Sequence, residues 1–210
     1  MAEVLSRLAG GSSTGAVTWT PGSAGGALLR KFVLGVAGGT TRTLQVDWNA
    51  ATPVIFTNAN TARGQITYGI GSETPALRWG WNGYLFVPFG ETLRLQAPSG
   101  GTNHYHLVGI DNPSQTYSLA KAAQNSTGTK TLLTASGTVA VLGIWATTSS
   151  SVTTWTISAN SVNVFEAAAA GTFYIPGPFV LNNGETLTTA MTVGAGSPAY
   201  STSVTYITLP

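Results

Sequence analysis

Seven carboxylates and two histidines are the side chains of this 210-residue chain best suited to move a proton near neutral pH or to hold a metal ion, and cysteine is absent. The histidines, His104 and His106, stand two positions apart. On a strand that spacing puts both imidazoles on one face, the beginning of a two-ligand metal arrangement. A metal site needs at least a third ligand and outer partners that orient the rings. Asp111 and Glu91 are the nearest acids in sequence, and the spacing brings neither alongside. The histidines are therefore expected at a surface or an interface, without a metal.

Two of the acids sit in a repeated tetrapeptide. Gly90-Glu91-Thr92-Leu93 and Gly184-Glu185-Thr186-Leu187 are separated by 184 − 90 = 94 positions. An acid found twice in the same place is not a catalytic pair, because separate copies of one unit hold the two apart. Each glutamate is expected to bond local backbone N–H groups in a turn.

Two serine patterns fail on context. Gly11-Ser12-Ser13-Thr14-Gly15 fits G-x-S-x-G, but a nucleophile elbow needs a strand before it and a helix after it. Here a Gly/Ser tether surrounds the serine. Ser118-Leu119-Ala120-Lys121 fits S-x-x-K, but its usual companion motifs are missing. No catalytic residue, metal or cofactor is expected, and the chain reads as non-enzymatic.

The densest cluster is Arg78-Trp79-Gly80-Trp81-Asn82-Gly83-Tyr84. In an extended segment Trp79 and Trp81 share a face. Exposed, Arg78, Trp79, Trp81 and Tyr84 would form a platform for a protein interface or a glycan ring. Core packing is the competing use of the same rings.

The elements around these groups read as β. Alternation is clearest where Leu44, Val46 and Trp48 face one way and Thr43, Gln45 and Asp47 the other. Short strands with Gly, Pro, Asn and Ser turns every ~8 to 12 residues, and no long helical period, predict sandwiches or barrels. A second echo, Val33-Leu34-Gly35-Val36 against Val141-Leu142-Gly143-Ile144, is offset by 141 − 33 = 108. The two offsets differ by 14, which predicts an insertion of that size in the first copy, near 57–83.

The predicted architecture is all-β, with two tandem β-sandwich units of jelly-roll or Ig-like type and a short N-terminal arm. The arm covers 1–15, the first sandwich 16–112, a linker 113–128 and the second sandwich 129–210. Ala2 to Leu8 would make two helical turns with Val4, Leu5 and Leu8 on one face. Gly10 to Gly15 would follow as a flexible tether, so the arm would order on docking to a partner through Val4, Leu5 and Leu8. Tyr117 to Gln124 reads as a short helix or an extended connector.

Composition narrows the function classes. Hydrophobic residues make up 43%, and charged residues only 8%, against about 25% in typical soluble domains. Thr, Ser, Asn, Gln and Gly fill the polar positions, which suits a subunit with much of its surface buried against neighbours. Net charge is +2 and the pI about 9.0, but only Arg30 and Lys31 are adjacent bases. Nucleic-acid binding needs clustered cations, so none is expected. No apolar run approaches the ~20 residues that cross a bilayer, so membrane insertion is not expected, and Met1 to Gly10 does not read as a secretory signal.

The layout resembles the β-sandwich structural proteins of tailed-bacteriophage particles, both capsid decoration (cement) proteins and tail or neck appendages. The resemblance rests on Met1-Ala2-Glu3-Val4-Leu5-Ser6-Arg7-Leu8-Ala9-Gly10, on Leu29-Arg30-Lys31-Phe32-Val33-Leu34, and on Thr/Ser/Gly-rich repeats without cysteine. It implies a virion protein that forms homo-oligomers, often trimers, and is held to capsid or tail subunits by an N-terminal arm. An adhesin or fibre protein that binds a carbohydrate or receptor on the host surface is the alternative.

Overall fold

The structure, a computed structural model, describes residues 4–15, 17–37, 42–44, 46–49, 57–58, 61–62, 68–70, 77–95, 102–124, 126–148, 154–168, 171–193 and 200–210. All regular elements among them are strands. The chain divides into two compact units, Met1–Ala51 with Gly64–Gln115, and Thr52–Arg63 with Thr116–Pro210.

The first strands are β1 (Ser6–Ser13), β2 (Val17–Trp19), β3 (Ala27–Ala37), β4 (Arg42–Leu44) and β5 (Val46–Asn49). Short pieces follow: β6 (Thr57–Asn58), β7 (Thr61–Ala62) and β8 (Tyr68–Ile70). Longer ones close the first half: β9 (Leu77–Val87), β10 (Thr92–Leu95) and β11 (Thr102–Asp111). The second half holds β12 (Ser118–Gln124), β13 (Gly128–Thr134), β14 (Val139–Thr148) and β15 (Thr154–Ala159). It ends with β16 (Val162–Ala167), β17 (Gly171–Leu181), β18 (Thr186–Thr192) and β19 (Tyr200–Thr208).

Strand order decides between jelly roll and Ig-like sandwich. With the eight strands β12 to β19 lettered B to I, the second unit's sheets run B-I-D-G and C-H-E-F. That interleaving of early and late strands is the jelly roll, two Greek keys folded over one another. In the first unit β1-β11-β3-β9 is again B-I-D-G, and β2-β10-β5 is C-H-E. The chain is a jelly roll written twice.

Pairing registers measure the repeat. The Gly-Glu-Thr-Leu copies open strand H in each unit, after turns with the same backbone. Glu91 N–H donates to the Pro88 carbonyl (3.1 Å) and Glu185 N–H to the Asn182 carbonyl (3.0 Å). Gly90 and Gly184 both have φ +83°, as the third residue of a type II turn requires. Strand G therefore keeps the offset of 94. Strand D pairs Ala27 with Val87 and Val139 with Leu181, giving 139 − 27 = 112. Strand E pairs Val46 with Leu95 and Ile157 with Thr189, giving 157 − 46 = 111.

Two expectations change with this ruler. The echo at 108 lies in the right strand of each unit but is four residues out of structural register, since 112 − 108 = 4. The extra length of the first unit between E and G is 111 − 94 = 17 residues, and it falls between Asn49 and Leu77. Residues 77–83 belong to strand G itself, not to an insertion.

The N-terminal residues also differ from expectation. Ser6–Ser13 is not helix and tether but strand B, paired with β11 along its length. Two isolated helical turns gain too few bonds to persist in water, whereas a ladder satisfies the same backbone groups. The glycines are tolerated because neighbours cover them: a Cβ on Gly11 would stand 3.3 Å from the Tyr105 hydroxyl, the cross-strand aromatic cover that supports glycine in edge strands. Ser118–Gln124, expected within a linker, is likewise strand B of the second unit, paired with β19.

The second unit's core lies between its two sheets. Val139, Val141, Ile144 and Val204 come from one sheet, and Trp155, Ile157, Leu187 and Met191 from the other. Trp155 is fully buried. Its Nε1–H donates to Thr189 Oγ1 at 3.1 Å, and its ring meets Phe165 and Phe173 edge-on. In the first unit the buried set includes Leu29, Phe32, Trp81, Leu85, Leu93 and Leu107.

Candidate functional site

The groups singled out for chemistry can be placed wherever their side chains are described. Glu185 is a turn-former: its carboxylate accepts from Asn182 N–H (2.8 Å), Asn182 Nδ2 (3.3 Å) and Asn160 Nδ2 (2.8 Å). One of these donors is the local backbone N–H expected for the motif; the other two are side-chain amides, one of them from the distant Asn160. Ser12 and Ser13 lie in strand β1, and Ser13 Oγ accepts from Gly15 N–H at 3.1 Å. This caps a bend; no helix follows to make a nucleophile elbow. Ser118 and Lys121 lie three apart on strand β12, which sends them to opposite faces of the sheet.

His104 and His106 are exposed on one face of β11. Among the described residues no three His, Asp or Glu side chains approach closely enough to hold a metal.

The tryptophan cluster lies on β9, strand G. Trp81 is only 6% exposed, and its ring centroid is 4.9 Å from that of Phe32. It is core, which corrects its reading as part of an exposed glycan or interface platform. An apolar strand position facing the opposite sheet loses more by solvation than a surface ring gains. Tyr84 is half-buried beneath the Arg30 guanidinium, 3.8 Å from its ring centroid. Arg30 Nε–H also donates to the Gly83 carbonyl at 2.9 Å. The strand carries Arg78 and Trp79 as well, but their side chains lie outside the described residues.

The arm residues separate. Val4 and Leu5 precede β1 and are 77% and 56% exposed. Leu8 is half-buried within β1, with its Cδ1 close to Gly109. Further exposed apolar side chains are Phe89, at the G–H turn of the first unit, and Val162 and Val180 in the second.

Sequence reasoning missed one grouping. Arg7, Lys31, His104 and His106 are far apart in the chain, yet their strands are neighbours in one sheet and all four side chains are exposed. Parity along three strands carries the signal, but it cannot be read before the strand order is known.

No family model matches the chain, and no curated protein matches it. Among solved structures it is similar to the STIV MCP, at TM-score 0.42 and 9% identity over 99% of this chain and 97% of that one. It is similar to the major capsid protein of bacteriophage PM2 at 0.38 and 8%, covering 100% of this chain and 98% of that one. A conserved protein of unknown function from Pseudomonas aeruginosa scores 0.34 at 10% identity, over 94% and 77%. Scores this low decide neither kinship nor role. The jelly-roll assignment rests on the strand order instead.

Proposed function

We propose that this protein is a non-enzymatic structural component of a bacteriophage virion, decorating or reinforcing the particle. The observation that carries the reading is the same B-I-D-G order found twice in one chain. Viral capsid domains, lectins and cupins share the jelly roll, so fold by itself does not choose among them. The side chains favour the first. The rings that would make a glycan platform are committed within the fold at Trp81 and Tyr84, and the exterior is poor in charge. Few charges lower the desolvation cost of broad interfaces, and hydroxyl groups satisfy polar partners within them. Val4, Leu5 and Leu8 are the proposed anchor to a neighbouring subunit, with copies of this chain, as trimers, and other capsid or tail proteins as partners.

The test uses the intact protein. Deleting residues 1–11 would remove most of a sheet strand, so the informative variant is Val4→Ser with Leu5→Ser, upstream of β1. Self-association by sedimentation and incorporation into particles should weaken about tenfold, the loss of one or two small anchors, with the melting curve unchanged. Unchanged association removes the anchor role. A wild-type protein that stays monomeric and never joins a particle overturns the virion reading.

A further inference from the structure

The outward face of the first unit's B-I-D-G sheet can be read row by row from its registers. One row runs Arg7, Val108, Lys31, Asn82 across the four strands. The next runs Gly10, His106, Val33, and the third begins Ser12, His104. Rows on one face of a strand are about 6.7 Å apart, so three rows form a compact patch. Arg7, Lys31, His104, His106, Ser12 and Asn82 are all exposed. Arg7 and His106 converge: a Cβ on Gly10 would lie 3.2 Å from His106 Nδ1 and 3.4 Å from Arg7 Cδ.

Among the described residues no acid points from this face. Asp111 lies on the same strand with opposite parity and accepts from Ser23 Oγ at 2.8 Å. Gly10 is exposed among these groups, and the exposed described side chains of the face include no aromatic ring.

We infer that this face binds the phosphate backbone of a nucleic acid, without reading its sequence. Three features select that occupant. Cations interspersed with Ser, Asn and exposed glycine backbone are the groups that contact phosphate and sugar rather than base edges. A protein partner would be expected to meet an apolar or aromatic anchor, and here only Val33 and Val108 interrupt the polar side chains. Nor does the face offer apolar bulk to enter a bilayer. The inference goes beyond the virion role and stands or falls separately from it.

The probe is a short, mixed-sequence, fluorescently labelled DNA duplex, with binding followed by anisotropy over a salt series. The wild-type protein should bind with log Kobs falling against log[salt] with a slope near −2 to −4, set by the phosphates neutralised. Arg7→Glu with Lys31→Glu should bind at least about tenfold more weakly and flatten the slope by about two. Lys130→Glu, exposed in the second unit, should change neither. Circular dichroism melts confirm that the variants fold. Wild-type binding without salt dependence, or an unaffected Arg7/Lys31 variant, overturns the inference. So does stronger binding to phosphatidylserine vesicles than to the duplex at equal phosphate concentration.

Discussion

The two jelly rolls solve one local problem with different residues. In both, strand G carries an extra residue against strand D at the equivalent place. In the first unit Gly83 and Tyr84 bulge opposite Arg30, and in the second Gly177 and Pro178 bulge opposite Leu142. The first fills its bulge with a guanidinium stacked on Tyr84 and bonded to the Gly83 carbonyl. The second uses a leucine and a Gly-Pro step. The faces beyond the bulge diverge too. Lys31, Val33 and His106 of the first unit correspond by register to Gly143, Trp145 and Ser203 of the second. Lys31 and His106 are exposed, while Trp145 and Ser203 are 4% and 1% exposed. Backbone irregularity is shared between the copies, and side-chain chemistry is not. The bulge therefore belongs to the fold, and the chemistry laid over it marks what each copy does.

The strongest way to break this comparison is through the cores. If each unit has its own packed centre, Trp155→Ala and Trp81→Ala should both be severe despite their different strands. Removing a buried tryptophan costs about 3–5 kcal/mol. Trp155 should lie at the upper end, because Thr189 Oγ1 also loses its donor. Urea unfolding measures both. A cost below ~1 kcal/mol at either site would mean that the ring is not central to its sandwich.

A middle-sized effect tests the bulge directly. Arg30→Leu gives the first unit the second unit's residue. It removes a cation–π contact and a charged hydrogen bond at a partly exposed site, together about 1–2 kcal/mol after solvent screening. Leu142→Arg, the reverse exchange, should also destabilise, because Pro178 offers no ring face for the guanidinium. If Arg30→Leu is neutral, the two bulges are interchangeable and Arg30 serves something other than the fold.

Much of the architecture was legible in the sequence, and the reason is local. The repeated Gly-Glu-Thr-Leu turn is a short-range signal, and both copies sit where strand H begins. The alternating run through Leu44, Val46 and Trp48 does form strand, but as β4 and β5 in different sheets and not as one strand. Strand B of each unit was misread because its partner lies about a hundred residues away: Ser6 pairs with Gly109, and Ser118 with Tyr206 in the second unit only after the rest of that unit is laid down. A segment such as Leu8-Ala9-Gly10-Gly11-Ser12 has no strong preference of its own, so the ladder decides. Trp81 was ambiguous for a related reason, since its partner Phe32 is on another strand. The cationic face was invisible because it joins three strands whose adjacency is purely topological.

The smallest effect offers the sharpest test, because it predicts equality. Gly90 and Gly184 share φ +83°, and a Cβ added to either would meet nothing within 4 Å. With no clash at either site, an alanine substitution reports backbone strain alone. A non-glycine residue in the left-handed region costs about 1–2 kcal/mol, partly offset because alanine restricts the unfolded chain more than glycine. Gly90→Ala and Gly184→Ala should therefore each lose about 1 kcal/mol, and the two values should agree within ~0.5 kcal/mol. Asparagine, which tolerates that region better, should cost less than alanine at both. Unequal costs would show that one turn draws on contacts beyond its own backbone. The obvious source is Glu185, whose carboxylate ties Asn182 and Asn160 together: Glu185→Ala combined with Gly184→Ala would then depart from additivity.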